Sequence, residues 1–391
     1  MLTSIAMILL LGLLIGWLFN KIKLPSLLGM IVVGMILSPY ALNLIDDSIV
    51  SISSELRQIA LVIILTRAGL SLDIRDLKKV GRPAVLMCFI PACVEMIGTI
   101  IFAPILLGVT ILEAAIMGSV MAAVSPAVIV PRMIKLMEEG YGTKKSIPQL
   151  ILAGASVDDV FVIVVFSALT SWASVGEVSA MSFMQIPISI VLGILLGMAT
   201  GLLLTVFFKK KHMRDSVKIL IILSVSFLLL EAENSLEEII PISGLLAIMS
   251  MGIMIKQKYD ILASRLSVKY NKLWLGAEVF LFVLVGANVD LKYVAVSGIA
   301  AVVLIVLALL FRMIGVALSL IRSDLNVKER VFCMVSYTPK ATVQAAIGAI
   351  PLSMGLECGN IVLTVAVLAI LITAPFGAIC VDNLHKRLLE R

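Results

Sequence analysis

Charge is scarce in this chain. Only 14% of its 391 residues are Asp, Glu, Lys or Arg, and there are two histidines. A water-facing surface needs about a quarter of the chain charged, so a soluble globular fold is excluded. Cysteine is sparse as well. Cys88, Cys93, Cys333, Cys358 and Cys380 form no CxxC pair and have no nearby histidine. That excludes a disulfide framework and a thiolate metal site, and leaves them as apolar fillers. His212 and His385 fall in basic connections and read as solvated. No GxGxxG, GxSxG or Walker sequence occurs. Nothing therefore supports redox, hydrolytic or nucleotide chemistry; the chain does not read as an enzyme, and no cofactor is called for.

Apolar residues are what the chain has: 61% of the whole, with a mean hydropathy of +1.15. Runs of about 20 apolar residues recur along its length, each long enough to cross a bilayer as a helix. Period-two alternation is missing, which excludes a barrel. The pattern predicts an all-α polytopic membrane protein with about thirteen spans: 2–19, 25–40, 53–71, 83–107, 112–133, 147–171, 184–208, 216–233, 241–257, 270–289, 293–321, 329–352 and 359–381. Only about ten residues follow the last span, too few for a large nucleotide-sensing module.

Alternate connections carry 26 of the 31 Lys and Arg, among them Arg75/Lys78/Lys79/Arg82 and Lys209/Lys210/Lys211/Arg214/Lys218. The intervening ones hold acids such as Asp46, Asp47, Glu113 and Glu357. Positive connections mark the cytoplasm, so the N-terminus is expected outside and the C-terminus inside, with an odd number of spans. The net charge of +6 is then a topology signal and not a nucleic-acid footprint. The first span lacks a basic n-region and is followed by Lys21 and Lys23, so it reads as a span and not as a cleaved signal.

Signatures recur at a nearly constant offset. Pro25 and Pro241 lie 216 residues apart, Asp73 and Asp290 217, Glu95 and Arg312 217, and Pro126 and Pro339 213. Span 1 then pairs with span 8, and span 5 with span 12. Seven spans is an odd step, so the partners cross the membrane in opposite directions. A six-plus-six inverted repeat joined by span 7 is expected, an architecture of secondary transporters with the site near the midplane.

The unusual residues converge on that layer. Asp158 lies about eleven residues into its span, roughly 16 Å deep at about 1.5 Å per residue, with Asp159 beside it. Glu95 and Arg312 are similarly central. Ser125-Pro126 and Thr338-Pro339-Lys340 interrupt two spans at equivalent positions, and proline removes a helix donor. Two such breaks predict crossed, discontinuous helices with free carbonyls and amides, which survive at that depth only beside protein or water. Lys340 is expected to compensate converging carbonyl ends; the alternative is a lysine that itself titrates. Glu95 and Arg312 are expected to form an ion pair, with a share in proton traffic as the alternative for Glu95. Glu278 either pairs with Lys272 or faces the cytoplasmic funnel, and Arg67 reads as a snorkelling anchor.

A charge at the bilayer centre costs at least about 2.5–3.5 kcal/mol, so paired acids there call for a reason. Structural pairing with Lys340 or Arg312 is the bland one. Successive residues on a helix differ by about 100°, so Asp158 and Asp159 cannot face one partner equally. One can face a cavity while the other turns toward the broken helices. Burial and like-charge repulsion both favour the neutral carboxyl, and the two titrate as a unit. Such a carboxylate is neutralised by a proton or by a small hard cation, with Ser125, Ser156 and freed carbonyls to complete an oxygen shell. Competition for one site is all that exchange requires.

SPAVIVP, GASVDDVF, the mid-span FRMIG and YTPKATVQAAIG together resemble the two-aspartate sodium/proton antiporters of the second monovalent cation:proton antiporter family. The likeness is nearest to the subgroup of mammalian mitochondrial-type sodium/hydrogen exchanger-like proteins and covers essentially the whole chain. The resemblance implies the NhaA-like antiporter fold and a homodimer. It implies dimerisation-domain spans in 1–82 and 216–292, core-domain spans in 83–173 and 293–391, a linker span in 174–215, and elevator-type movement of the core. It also implies that Asp159 is the main cation carboxylate, for Na+ or Li+, and Asp158 its partner. Electrogenic relatives carry a lysine where this chain has Arg312, and arginine does not release a proton, so electroneutral exchange is expected. Small size and a short tail point to a bacterial member, in the plasma (inner) membrane. A sodium-coupled organic-anion symporter and an ion-binding membrane sensor are the competing readings.

Overall fold

The structure, a computed structural model, describes residues 1–72, 81–175, 180–236, 242–289 and 291–391; the side chains of 156, 174–175, 180–187, 234 and 291–297 lie outside that description. The expected repeat matches of Asp73 with Asp290 and of Pro25 with Pro241 therefore fall partly or wholly on residues not described.

Among the described residues every regular element is a helix. In chain order they are α1 (Leu2–Lys21), α2 (Ser26–Leu37), α3 (Asp47–Ser51), α4 (Ser53–Ser71), α5 (Arg82–Met87), α6 (Ile90–Leu107), α7 (Ile111–Met121), α8 (Pro126–Glu139) and α9 (Ile147–Val175). Then come α10 (Ala180–Lys210), α11 (Asp215–Leu236), α12 (Gly244–Lys258), α13 (Asp260–Ala287), α14 (Leu291–Ser319), α15 (Val327–Ser336), α16 (Thr342–Ile347), α17 (Ile350–Ser353) and α18 (Gly359–Leu388). Helix lies within all thirteen expected stretches. Eight described segments are at once long and apolar enough to cross a membrane.

Helix ends follow local chemistry. Thr110 and Glu113 form a capping box that starts α7, and Asn326 and Glu329 form one that starts α15. Gly108 (φ 70°) and Gly140 (φ 82°) stop α6 and α8 in the left-handed region, where a Cβ is strained. Two interruptions were not expected. Residues 88–89 separate α5 from α6, and 348–349 separate α16 from α17; Pro91 and Pro351 follow at the start of the next helix and remove a donor from the turn before. α13 begins ten residues ahead of the expected span. The Lys256–Asp260 pair (2.6 Å) and the polar stretch from Arg265 to Lys272 carry the helix outside the apolar run, because helix propensity does not depend on hydropathy.

The chain packs as two compact units. One comprises 1–54, 75–162 and 279–391. Here α6 and α14 lie tightly together: Gly98 faces the Phe311 ring and Gly315 faces the Pro91 backbone, where a Cβ would come within 2.6 Å of each neighbour. Phe102 packs edge-on to Phe311 at 5.8 Å. An apolar core including Met133, Leu136, Ile151, Phe332, Tyr337 and Leu389 closes the end of this unit. His385 belongs to that end and is not solvated as expected. It is 7% exposed, its Nδ1 lies 3.1 Å from Val381 O, and its ring meets Tyr141 edge-on at 5.1 Å. α18 runs past the apolar stretch and docks its last turns there, which covers the imidazole; His212 is exposed as expected.

The other unit comprises 55–74 and 163–278. A stripe of Gly193, Gly197 and Gly201 on α10 meets the backbone of Ser243, just ahead of α12, and of Ala247 and Met251 on it. A Cβ at Gly193 would sit 2.5 Å from Ser243 O, so only glycine at every fourth position permits this approach. Arg67, read as a snorkelling anchor, is half-buried.

Candidate ion-binding site

Two helix breaks build the site. α7 ends at Met121, residues 122–125 are non-helical, and α8 starts at Pro126. α15 ends at Ser336, residues 337–341 are non-helical, and α16 starts at Thr342. Both breaks fall where Pro126 and Pro339 place them. They touch each other: Ser125 N donates to Pro339 O at 2.7 Å. A backbone amide freed by one break thus satisfies a carbonyl freed by the other. Thr338 turns back to its own helix, its hydroxyl donating to Val335 O at 2.8 Å.

Arg312, on α14, is fully buried and reaches both breaks. Its Nε donates to Tyr337 O at 2.6 Å, and the guanidinium lies 5.1 Å from the centre of the Tyr337 ring. Nη1 donates to Glu95 Oε2 at 2.8 Å and also to Ala122 O, and Nη2 donates to Asp158 Oδ2 at 2.7 Å. Lys340 Nζ donates to the same Glu95 oxygen at 2.6 Å. Asp158 Oδ2 additionally accepts from Val124 N at 2.8 Å. Two cations and two carboxylates thus interlock, all four with no solvent exposure. Paired and hydrogen-bonded charge is the only kind that tolerates such burial.

The two aspartates part company here. Asp158 is held by an arginine and a backbone amide. Among the described residues no ion pair reaches Asp159, and its Oδ1 is a buried oxygen that accepts no protein hydrogen bond. Glu95 Oε1, Asp158 Oδ1 and Ser125 Oγ are in the same condition. These are hard oxygen donors, suited to a small hard cation or a proton. The Ser156 side chain lies outside the described residues.

Lys340 does not serve the carbonyl ends as expected. Glu95 draws its ammonium away, since a carboxylate outbids a carbonyl as acceptor. The carbonyls at the end of α7 are met instead by Arg312, at Ala122, and by Gln344, whose Nε2 lies 2.9 Å from Ala123 O, 3.2 Å from Val120 O and 3.3 Å from Met121 O. Thr373 accepts from Lys340 N at 2.8 Å. Gln344 and Thr373 escaped the reading of the sequence. A polar amide inside the apolar run ATVQAAIG was the available signal, because a buried amide requires partners.

Residues 6–384 match the family described as sodium/hydrogen exchanger, transmembrane. The chain belongs to that family. The exchanger is 34% identical to sodium/hydrogen exchanger 9B2 of Mus musculus over 398 residues, covering 96% of this chain and 72% of that one. It is 32% identical to sodium/hydrogen exchanger 9B1 of Homo sapiens, covering 94% and 73%. Its fold is that of the sodium proton antiporter MjNhaP1 from Methanocaldococcus jannaschii, solved at pH 8. The TM-score is 0.85 at 22% identity, with 100% of this chain and 99% of that chain covered. The exchanger is thus a multi-pass membrane protein of a cation/proton antiporter family, and its named relatives are transporters and not enzymes.

Proposed function

We propose that this exchanger carries one monovalent cation, Na+ or Li+, against one proton, electroneutrally, by elevator-type alternating access. The observation that carries this reading is the charge balance of the site. Arg312 and Lys340 offset Glu95 and Asp158, which leaves Asp159 as the charge of this cluster with no ion-pair partner among the described residues. A proton or a monovalent cation on Asp159 brings the cluster to neutrality either way. Both loaded forms cross the bilayer at the same low cost, and the bare form, with a carboxylate at depth, does not.

In this reading Asp159 binds the cation or proton, with Asp158, Ser125 and Ser156 contributing oxygens. Glu95, Arg312 and Lys340 set the charge, and Pro126, Pro339 and Thr338 hold the breaks. Spans in 83–173 and 293–391 move as the core against dimerisation spans in 1–82 and 216–292 of a homodimer, with the N-terminus outside and the C-terminus in the cytoplasm.

The test uses purified protein in vesicles with a trapped pH-sensitive dye and an imposed proton gradient. Added Na+ or Li+ should dissipate the gradient with wild type and leave it intact with Asp159→Asn. Wild-type silence toward every cation across a wide pH range would overturn antiport.

A further inference from the structure

The end of α7 presents more acceptors than its own helix can satisfy. Four carbonyls at a helix C-terminus lack intrahelical donors, and at membrane depth protein groups must supply them; Ala122 N, in the link, donates to Ser119 O at 3.3 Å. Arg312 takes Ala122 O. The amide of the fully buried Gln344 is placed against Val120, Met121 and Ala123. Its other end is anchored, because Gln344 Oε1 accepts from Ala341 N at 2.8 Å, at the start of α16. One side chain thus ties the end of the first broken helix to the beginning of the second half of the other.

The tie bears on the acids. Residues 122–125 form a short non-helical link, and Val124 N, in the same peptide group as the clamped Ala123 O, is the amide that holds Asp158 Oδ2. Release of Ala123 O would let that amide turn away from Asp158. Three carbonyls against two N–H groups also means the clamp is fully subscribed, with no donor to spare. The donor is neutral, so it quiets the carbonyls without changing the charge at Asp159; a lysine in this place would do the first and spoil the second.

We propose that Gln344 is a positioning residue for cation exchange: it clamps the C-terminal carbonyls of α7, keeps them out of the cation's shell, and so holds Asp158 in the Arg312 pair and leaves Asp159 as the cation's carboxylate. This inference rests on the antiport reading above. Gln344 touches neither ion, and acts through the 122–125 backbone.

Gln344→Glu tests it at nearly constant shape. A neutral carboxyl donates one hydrogen bond to the carbonyls, and an ionised one donates none and repels them, so the clamp is lost as pH rises. Transport relative to wild type should therefore fall with rising pH, with the apparent cation KM raised about tenfold or more at the alkaline end. The melting temperature in detergent should lie nearest wild type at acid pH and fall further below it at alkaline pH. Gln344→Met, which cannot clamp at any pH, should show a raised KM with no extra pH dependence. Profiles for Gln344→Glu that parallel wild type in both transport and melting would overturn the proposal. If wild type itself is silent, antiport fails, and the melting profile alone still decides whether Gln344 clamps.

Discussion

Arg312 is the residue on which the others depend. Its planar fork meets two carboxylates and two carbonyls at once, a geometry that a lysine ammonium cannot reproduce. Arg312→Lys should lower the melting temperature, consistent with a loss of about 3–5 kcal/mol for a broken buried pair. It should also let transport respond to membrane potential, because a lysine can release its proton during the cycle. Unchanged potential dependence would mean that Arg312 does not set the stoichiometry. The two aspartates should separate just as cleanly. Asp158→Asn removes a carboxylate from Arg312 and should destabilise the protein by a similar amount. Asp159→Asn removes no ion pair, so it should leave melting unchanged or raise it while transport is lost. Equal melting losses in both variants would contradict the division of labour drawn from the geometry.

Among elements, the breaks hold because neighbours hold them. α18 packs against the second break so closely that a Cβ on Gly377 would collide with the Pro339 ring. Gly377→Ala should push Pro339, and with it the Ser125–Pro339 contact, and reduce the transport rate severalfold with a smaller effect on melting. The end of α18 has a separate role. Leu389 is buried with Leu136 and Tyr141, and Gly142 N donates to Glu390 O at 2.7 Å. Leu389→Ala should cost about 2–4 kcal/mol by thermal melting, since it empties a packed site. A cost below about 0.5 kcal/mol would show these last residues to be dispensable packing.

For the whole molecule, the decisive quantity is the net charge that crosses. A cycle that moved one net charge would be driven by about 2.3 kcal/mol per 100 mV. With one open carboxylate the exchange should run at the same rate at zero potential and at a clamped potential, as read by the vesicle dye. A rate that follows the potential would place a second proton in the cycle and point to Lys340 as its carrier.

Some of this was decided by the order of residues alone. Hydropathy, basic connections and proline positions report transfer free energies and missing donors, which belong to each residue wherever it lies. They therefore marked the apolar spans, the two breaks and the buried charges of Glu95, Asp158, Asp159, Arg312 and Lys340. Which charges meet is a matter of three dimensions. Glu95 and Arg312 are 217 positions apart, and so both ends of their contact, 2.8 Å, come from the close approach of α6 and α14 across small residues. The same holds for Lys340, drawn to Glu95 and not to the carbonyls, and for Gln344, which took the place expected of it. Adjacent Asp158 and Asp159 look alike in sequence. They differ in the fold because about 100° of helix turn aims one at an arginine and leaves the other with no ion pair among the described residues.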